Sequence, residues 1–440
     1  MRNLLLGIGF TIIGSAWAAV PPVELSLPQA VAYAQAHSPS LAEAQSRLQG
    51  GWAAVARATA PRRTLLKVEA RQTHVSEVSS FTIIPGWTPV TLGANNTTHT
   101  LLGVQRVLYS GGRLEGALLQ ATTSAQAAEV SVIRLRQQVT FDATRAFLTL
   151  VATQHEAEVT RQALQTAETQ CANATSRYKS GAAARFDVMR AEVQVEEARL
   201  EEMRASDSCA AAQASLVRVL GQEEGDYRAS VNELPVPSAP PSLASLRTYA
   251  LAMRPELRLL AFQLAGAEAA RHAALGERRP TVSVAGDYQL VSPETPTALS
   301  RWAIGLVASL PIFDGGMSRA KLQEAEALRG QVQAALAGQR AAIVAEVRVG
   351  HARAESALAQ LAVARKREDL ARELHRIAGV RYTAGVGTAL EVADAQTALT
   401  RARQGTIRAL TDWQLAMAEL RLAVGIDDLA GVPAQVEGAP

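Results

Sequence analysis

Glu391 and Asp394 stand three residues apart in the helix-forming stretch "ALEVADAQTALTRARQ", so both carboxylates share one helical face. Like charges at that spacing cost roughly 0.2–0.5 kcal/mol in an isolated helix. A site that attracts cations bears that cost, and so does an ordinary solvated face; spacing alone leaves both readings open. Asp187 and Arg190 occupy the matching positions earlier in the chain, with Arg185 beside them. Their signs oppose, so neighbouring segments built this way can pair by charge. Both acids follow one signature: "RYKSG" from Arg177 and "RYTAG" from Arg381, each with an acid and then Val six residues past the Gly. Gly181 and Gly385 mark a turn whose backbone a side chain would hinder, and Tyr178 and Tyr382 lead into it.

Other chemistry is sparse. Cys171 and Cys209 flank a turn near Ala182 unequally, which in a straight antiparallel hairpin offsets them by about 24 Å, against the roughly 7 Å between Cα atoms that a disulfide allows. Two free thiols are predicted. "HEAEV" at His155 lacks the second His of a zinc-protease helix, and the seven histidines are scattered. With no nucleophile motif, phosphate loop or dinucleotide fingerprint, the chain is read as a non-enzyme with no catalytic residue, metal site or cofactor.

The elements that position these residues follow from composition. Of 440 residues 48% are hydrophobic but only 4% aromatic, and alanine dominates, so long helices with small-residue contacts are expected. Net charge is +3 with no basic run, which favours solvated helix faces over a nucleic-acid surface. Arg2, the apolar run Leu4–Ile13 and "GSAWA" read as a secretory signal peptide cleaved after Ala18. No later run is apolar enough for a membrane helix.

The chain is written twice. Arg381 lies 204 positions after Arg177 and Asp314 lies 204 after Ser110, whereas Arg254 lies 216 after Ser38, so the first copy carries twelve extra residues between those landmarks. Each copy runs short helix, two strands, Gly-Gly turn (Gly111-Gly112, Gly315-Gly316), very long helix, turn, return helix. The expected organisation is signal peptide 1–18, first repeat 19–220, connector 221–242, second repeat 243–424 and C-terminal tail 425–440. The stretches Arg113–Lys179 and Met317–Thr383 contain no Pro, and each would form a helix about 100 Å long that needs partner helices along its length. "PTVSVAGDYQL" and "RWAIGLVASLPIF" alternate as strands, and "TLLKVEARQTHVS" and "NTTHTLLGVQRVLY" do so more weakly. Strands of about 10 residues fit an outer-membrane barrel. Four per chain are too few to close one, because an open edge in lipid leaves backbone groups unpaired. Membrane insertion therefore requires an oligomer; a soluble two-stranded patch on a helical protein is the competing reading.

This order of parts, with "YSGGR" and "FDGGM" after the second strand of each copy and helices turning at Tyr-x-x-Gly, resembles the TolC-type outer-membrane efflux proteins. The resemblance implies a mainly α protein with membrane β: a homotrimer whose twelve-stranded β-barrel is continued by a long periplasmic α-helical barrel, with two tandem structural repeats per chain. It implies a place in the Gram-negative outer membrane, in contact with its lipid and extending into the periplasm. The connector and tail would lie in an equatorial belt around the helices. The partners implied are a periplasmic adaptor (membrane fusion) protein and an inner-membrane pump of RND, ABC or MFS type. The function implied is the exit duct of a tripartite efflux or type I secretion system. Glu391 and Asp394 would then form an acidic ring at the periplasmic entrance, and Asp187 and Tyr382 a latch that holds it shut. Arg177, Tyr178, Gly181, Arg185, Arg190 and Gly385 would lie at the helix-turn tips. A basic residue sometimes found five past that Tyr in the family is Gly387 here. A periplasmic adaptor and a structural coiled-coil protein are the alternatives; the cargo is not written in the sequence.

Overall fold

The computed structural model describes residues 23–81, 83–86, 90–91, 94–181, 184–230, 237–293 and 299–426. The expected signal peptide and nearly all of the C-terminal tail lie outside the described residues. Contacts divide the chain into two units. One comprises Met1–Ser38, Val139–Ala239 and Ser356–Ala418, the other Pro39–Gln138, Pro240–Glu355 and Glu419–Pro440.

The order of elements is β1 (Val23–Leu25), α1 (Leu27–His37), α2 (Pro39–Thr59), β2 (Leu65–His74), β3 (Ser80–Phe81), β4 (Val90–Thr91), β5 (Asn96–Tyr109), α3 (Arg113–Lys179) and α4 (Arg185–Val219). It then runs β6 (Tyr227–Ala229), α5 (Leu243–Met253), α6 (Pro255–Gly276), β7 (Thr281–Pro293), β8 (Leu299–Ser309), α7 (Met317–Thr383) and α8 (Ala389–Val424). Helices α3 and α7 are each 67 residues long, with ends 204 positions apart, as the repeat predicts. Buried positions on α7 fall at Ile343, Val347, Gly350, Ala354, Ala357 and Leu361, spacings of four and three that make a heptad seam. Helices α1 and α5 precede the expected short helices, near 41–60 and 255–275, and were not assigned from the sequence. Pro39 and Pro255 each open a new helix, because proline disfavours helical backbone at the residue before it.

The unit built around the strands holds a four-stranded antiparallel sheet in the order β2-β5-β7-β8. Leu65 pairs with Gln105 in the first hairpin and Thr281 with Ser309 in the second. Thr97 to Tyr109 of β5 then join Pro293 to Val282 of β7, with a bulge between Val107 and Tyr109. The twelve extra residues of the first copy fall in its hairpin loop, where β3 pairs with β4. Strand alternation gives the sheet two unlike faces. Leu66, Val68, Leu102, Tyr288, Ile304 and Leu306 share one, and Lys67, Glu69, Arg71, Asp287, Gln289 and Arg301 the other.

Both Gly-Gly turns feed capped helices. Asp314 accepts from the Gly316 amide at 3.0 Å and the Ser318 amide at 2.9 Å, and Ser110 Oγ accepts from the Leu114 amide at 3.2 Å. Below the turns, Arg254 is 6% exposed and donates to the Leu422 and Ala423 carbonyls at 3.0 and 3.1 Å, the end of α8. It also meets Glu346 at 2.7 Å and Glu256 at 3.0 Å.

The other unit packs the far parts of the long helices against α4 and α8. Phe147, Leu150, Leu216 and Leu220 are fully buried there, and Leu361 and Trp413 nearly so. A parallel pair, β1 with β6, lies beside them. Tyr33 accepts from Gln222, which in turn accepts from Tyr227, and Gln154 accepts from the Ala229 amide at 3.2 Å. The connector 221–242 thus contains a strand, β6, and no helix among its described residues.

Candidate functional site

The two helix turns lie at the ends of α3 and α7. Gly181 and Gly385 both adopt φ of 77°, the left-handed region that a side chain disfavours. The Gly181 amide donates to the Tyr178 carbonyl at 2.9 Å and the Gly385 amide to the Tyr382 carbonyl at 3.1 Å, so one backbone device closes both. The second turn is tighter: the Val386 and Gly387 amides both reach the Arg381 carbonyl at 3.0 Å. A Cβ on Gly387 would stand 3.0 Å from Arg381 Cβ and 3.0 Å from the Tyr382 nitrogen, which explains why no basic side chain sits there.

The repeated acid has a local task that the sequence reading did not assign. Asp187 occupies the third position of α4, and its Oδ2 accepts from the Ala184 amide at 3.2 Å, just ahead of the helix. Glu391 occupies the corresponding position of α8, and its amide donates to Thr388 Oγ1 at 3.2 Å. Acids there complement the positive end of the helix dipole. The spacing Thr388-x-x-Glu391 is a capping-box signature legible in the sequence.

Tyr382 is half-buried and its hydroxyl accepts from Arg177 Nη1, while the Arg177 guanidinium carbon lies 5.0 Å from the ring centre. Such a cation–π contact is worth about 0.5–1 kcal/mol at an exposed site. Arg177, Asp187, Arg190, Tyr382 and Thr388 line one cleft of about 380 Å³. The structure therefore brings the two expected latch residues to one place. Among the described residues no hydrogen bond joins them: the carboxylate serves its own helix start and the phenol is taken by Arg177. Glu391 lies 3.8 Å from Arg381 Nε, and Asp394 is exposed on the same face. Arg185 and Arg190 are exposed and take part in no ion pair among the described residues. Cys171 and Cys209 are free thiols. No group of three or more potential metal ligands gathers among the described residues.

A family profile described as outer membrane efflux protein matches residues 30–222 and 246–426. The chain is 28% identical over 327 residues to outer membrane protein OprJ of Pseudomonas aeruginosa. That match covers 71% of this chain and 65% of OprJ, so the chain spans just under two thirds of that relative's length. It is 27% identical over 417 residues to protein CyaE of Bordetella pertussis, covering 88% of this chain and 82% of CyaE. The fold matches the crystal structure of a membrane protein from Pseudomonas aeruginosa with a TM-score of 0.78 and 24% identity, over 90% of this chain and 93% of that one. The profile meets both halves of the chain in repeat order, which sets aside the adaptor and coiled-coil readings: the chain belongs to the outer membrane efflux protein family and is a protein of the outer membrane.

Proposed function

We propose that the chain is one third of a trimeric exit duct that passes substrates from an inner-membrane pump, through a periplasmic adaptor, to the exterior. The observation that carries this reading is the sheet. Trp302, Ile304 and Leu306 are 73%, 72% and 67% exposed on a face that nothing among the described residues covers, and the opposite face is mixed, carrying Lys67, Glu69, Arg71, Asp287 and Arg301 among apolar residues such as Leu65 and Val307. An apolar face against lipid and a polar face against a water-filled lumen is the pattern of a membrane barrel strand. Among the described residues the outer edges of β2 and β8 are unpaired, and four strands cannot close on themselves. Three copies would supply twelve, within the range of known barrels.

The helix turns would then surround the periplasmic entrance. Arg177, Tyr382 and Asp187 would hold it closed through contacts weak enough for a partner to break. Six carboxylates, from Glu391 and Asp394 of three chains, would line it and favour cations. Efflux and secretion of a polypeptide use the same duct in this reading, and the pump chooses the cargo.

The test is the native mass of the protein extracted in detergent from isolated outer membranes, followed by single-channel recording. A trimer that conducts supports the duct. A monomer without conductance refutes it.

A further inference from the structure

One cation stands on the apolar face of the sheet. Strand pairing puts Arg106 in a row with Val284 of β7 and Leu306 of β8. The next row holds Leu66, Val104, Gly286 and Ile304. Among the described residues of that face Arg106 is the one permanently charged side chain, and it is exposed. Tyr109 joins it by way of the bulge. In plain alternation Tyr109 would fall on the opposite face, with Gly103 and Gln105. The irregularity between Val107 and Tyr109 instead pairs Tyr109 with Val282, on the face of Val284 and Arg106. Bulges re-aim side chains in this way and are common at the rims of barrels. Tyr109 is half exposed there.

The depth of Arg106 suits a membrane interface. On β7 this face runs apolar from Val282 to Leu290 and turns polar at Ser292. At about 3.4 Å per residue and a tilt near 40° the band is about 26 Å high, and Arg106, level with Val284, lies about 5 Å inside its helix-side edge. A guanidinium at that depth keeps its stem on apolar surface and turns its head to the rim. The rim is basic. Over 60–66, 105–115, 276–281 and 306–321 the chain has eight Lys or Arg against three acids. The acids are engaged locally: Glu115 accepts from Ser110 Oγ at 2.8 Å, Glu277 meets Lys321 at 2.7 Å, and Asp314 accepts from the start of α7. Arg63, Arg106, Arg113, Arg278 and Arg319 take part in no ion pair among the described residues. The fold itself does not demand this charge, because 204 residues on Arg106 is replaced by Leu310 and Tyr109 by Phe313.

We propose that Arg106 and Tyr109 form a headgroup site for an anionic phospholipid of the phosphatidylglycerol type, in the leaflet on the helix side of the membrane. The Arg106 guanidinium donates to the phosphate, and the Tyr109 hydroxyl donates to the glycerol ester region. The acyl chains lie along Val104, Val284, Ile304 and Leu306. The unpartnered arginines of the rim draw anionic lipid to the same edge. A zwitterionic lipid would fit the apolar part as well but would bring an ammonium group against the arginines. This inference rests on the reading above that the sheet lies in a membrane barrel, and it adds which lipid that barrel selects and where.

The test is native mass spectrometry of the full-length protein, extracted in detergent from outer membranes and stripped of lipid. It is titrated with phosphatidylglycerol or with phosphatidylcholine of the same acyl chains. The wild type is expected to bind phosphatidylglycerol about fivefold more tightly. Arg106→Leu, which installs the residue of the second copy, is expected to make the two affinities equal, while Arg106→Lys keeps part of the preference. Tyr109→Phe is expected to weaken phosphatidylglycerol binding less than Arg106→Leu does. A wild type that binds both lipids equally, or a preference that survives in Arg106→Leu, overturns the headgroup site and leaves the barrel reading standing. Glycerol 3-phosphate that displaces phosphatidylglycerol completely would make this a site for free anions and overturn the lipid assignment. A monomer that binds neither lipid overturns the barrel reading and this inference with it.

Discussion

Arg254→Met would test how the return helix of the second copy is held. The guanidinium is buried, satisfies the last carbonyls of α8 at Leu422 and Ala423, and faces Glu256 and Glu346. Each hydrogen bond from a charged donor contributes about 1.5–3 kcal/mol net. Glu346, with a side chain 49% exposed, turns to water at little cost, about 0–1 kcal/mol. Glu256, 21% exposed, would be left with a mostly buried charge, and breaking such a pair from one side costs about 3–5 kcal/mol. Methionine restores the stem packing and the helix end hydrates in part, so the low end, about 3 kcal/mol, is the expected loss. At about 2–4 °C per kcal/mol for a body of this size, the melting temperature falls by about 6–12 °C. The assay is helical circular dichroism of the detergent-purified protein on heating. Glu346→Gln alone should shift it by less than about 4 °C. Arg254→Met with Glu256→Gln should recover part of the loss, because the orphaned carboxylate is gone. A single variant that melts with the wild type, or a double variant that melts lower still, would refute this account of the contact.

At the entrance, Arg177→Ala and Tyr382→Phe should each raise the leak of the closed channel in planar bilayers, and the pair together should add nothing to the larger of the two. Additive leaks would show that the two residues act apart. Glu391→Gln with Asp394→Asn should lower cation preference, with Asp394→Asn carrying the larger share because Glu391 already faces Arg381; unchanged reversal potentials would count against the ring. At the strand-to-helix turn, hydrogen bonds from the Ser318 hydroxyl and then from backbone amides hold the Asp314 carboxyl below its usual range. A carboxyl lowered on folding stabilises the protein fully above its unfolded value, near 3.9, and that stability is lost as pH falls through the folded value. Between pH 5 and pH 3 the wild type should therefore lose more melting temperature than Asp314→Asn. Equal losses would remove Asp314 from the acid response.

Much of the fold was legible because its signals are long. Offsets of 204 and 216 can be read from shared residues such as Arg62-Arg63 with Arg278-Arg279, and 67 residues without proline can hardly be other than helix. The strands were legible through alternation, and β7 begins one residue after Pro280, where the alternation starts. Strands β1 and β6 were not legible. At three residues each they carry no period, and their pairing joins segments some two hundred positions apart. The hold of Arg177 on Tyr382 escaped for a related reason. Both residues were singled out, but which side chain reaches which between two helix ends depends on tertiary placement that no local motif encodes.

The doubled turn also shows which residues the backbone demands and which are free to serve function. Several positions identical or alike in both copies have backbone tasks. Gly181 and Gly385 share a left-handed φ of 77°, and Asp187 and Glu391 stand at the third position of their helices. An acid there is accounted for by helix capping before any role in a pore is invoked, so Glu391 and Asp187 taken singly are weak evidence for a site. The positions that differ carry the stronger signal. Three residues beyond each acid the first copy has Arg190 and the second Asp394, both exposed and neither tied to a partner among the described residues. A solvated helix face tolerates an unpaired aspartate three residues from another acid, whereas an entrance lined by alternating copies, as proposed above, has a use for opposite signs at equivalent places. In the proposed entrance, Asp394 and Arg190, more than Glu391 and Asp187, are the positions at which the two halves of this chain would have separated in function. Exchanging them, by Asp394→Arg with Arg190→Asp, should leave helix content unchanged while altering ion selectivity. An unaltered selectivity in that double variant would mean that neither side chain faces the lumen.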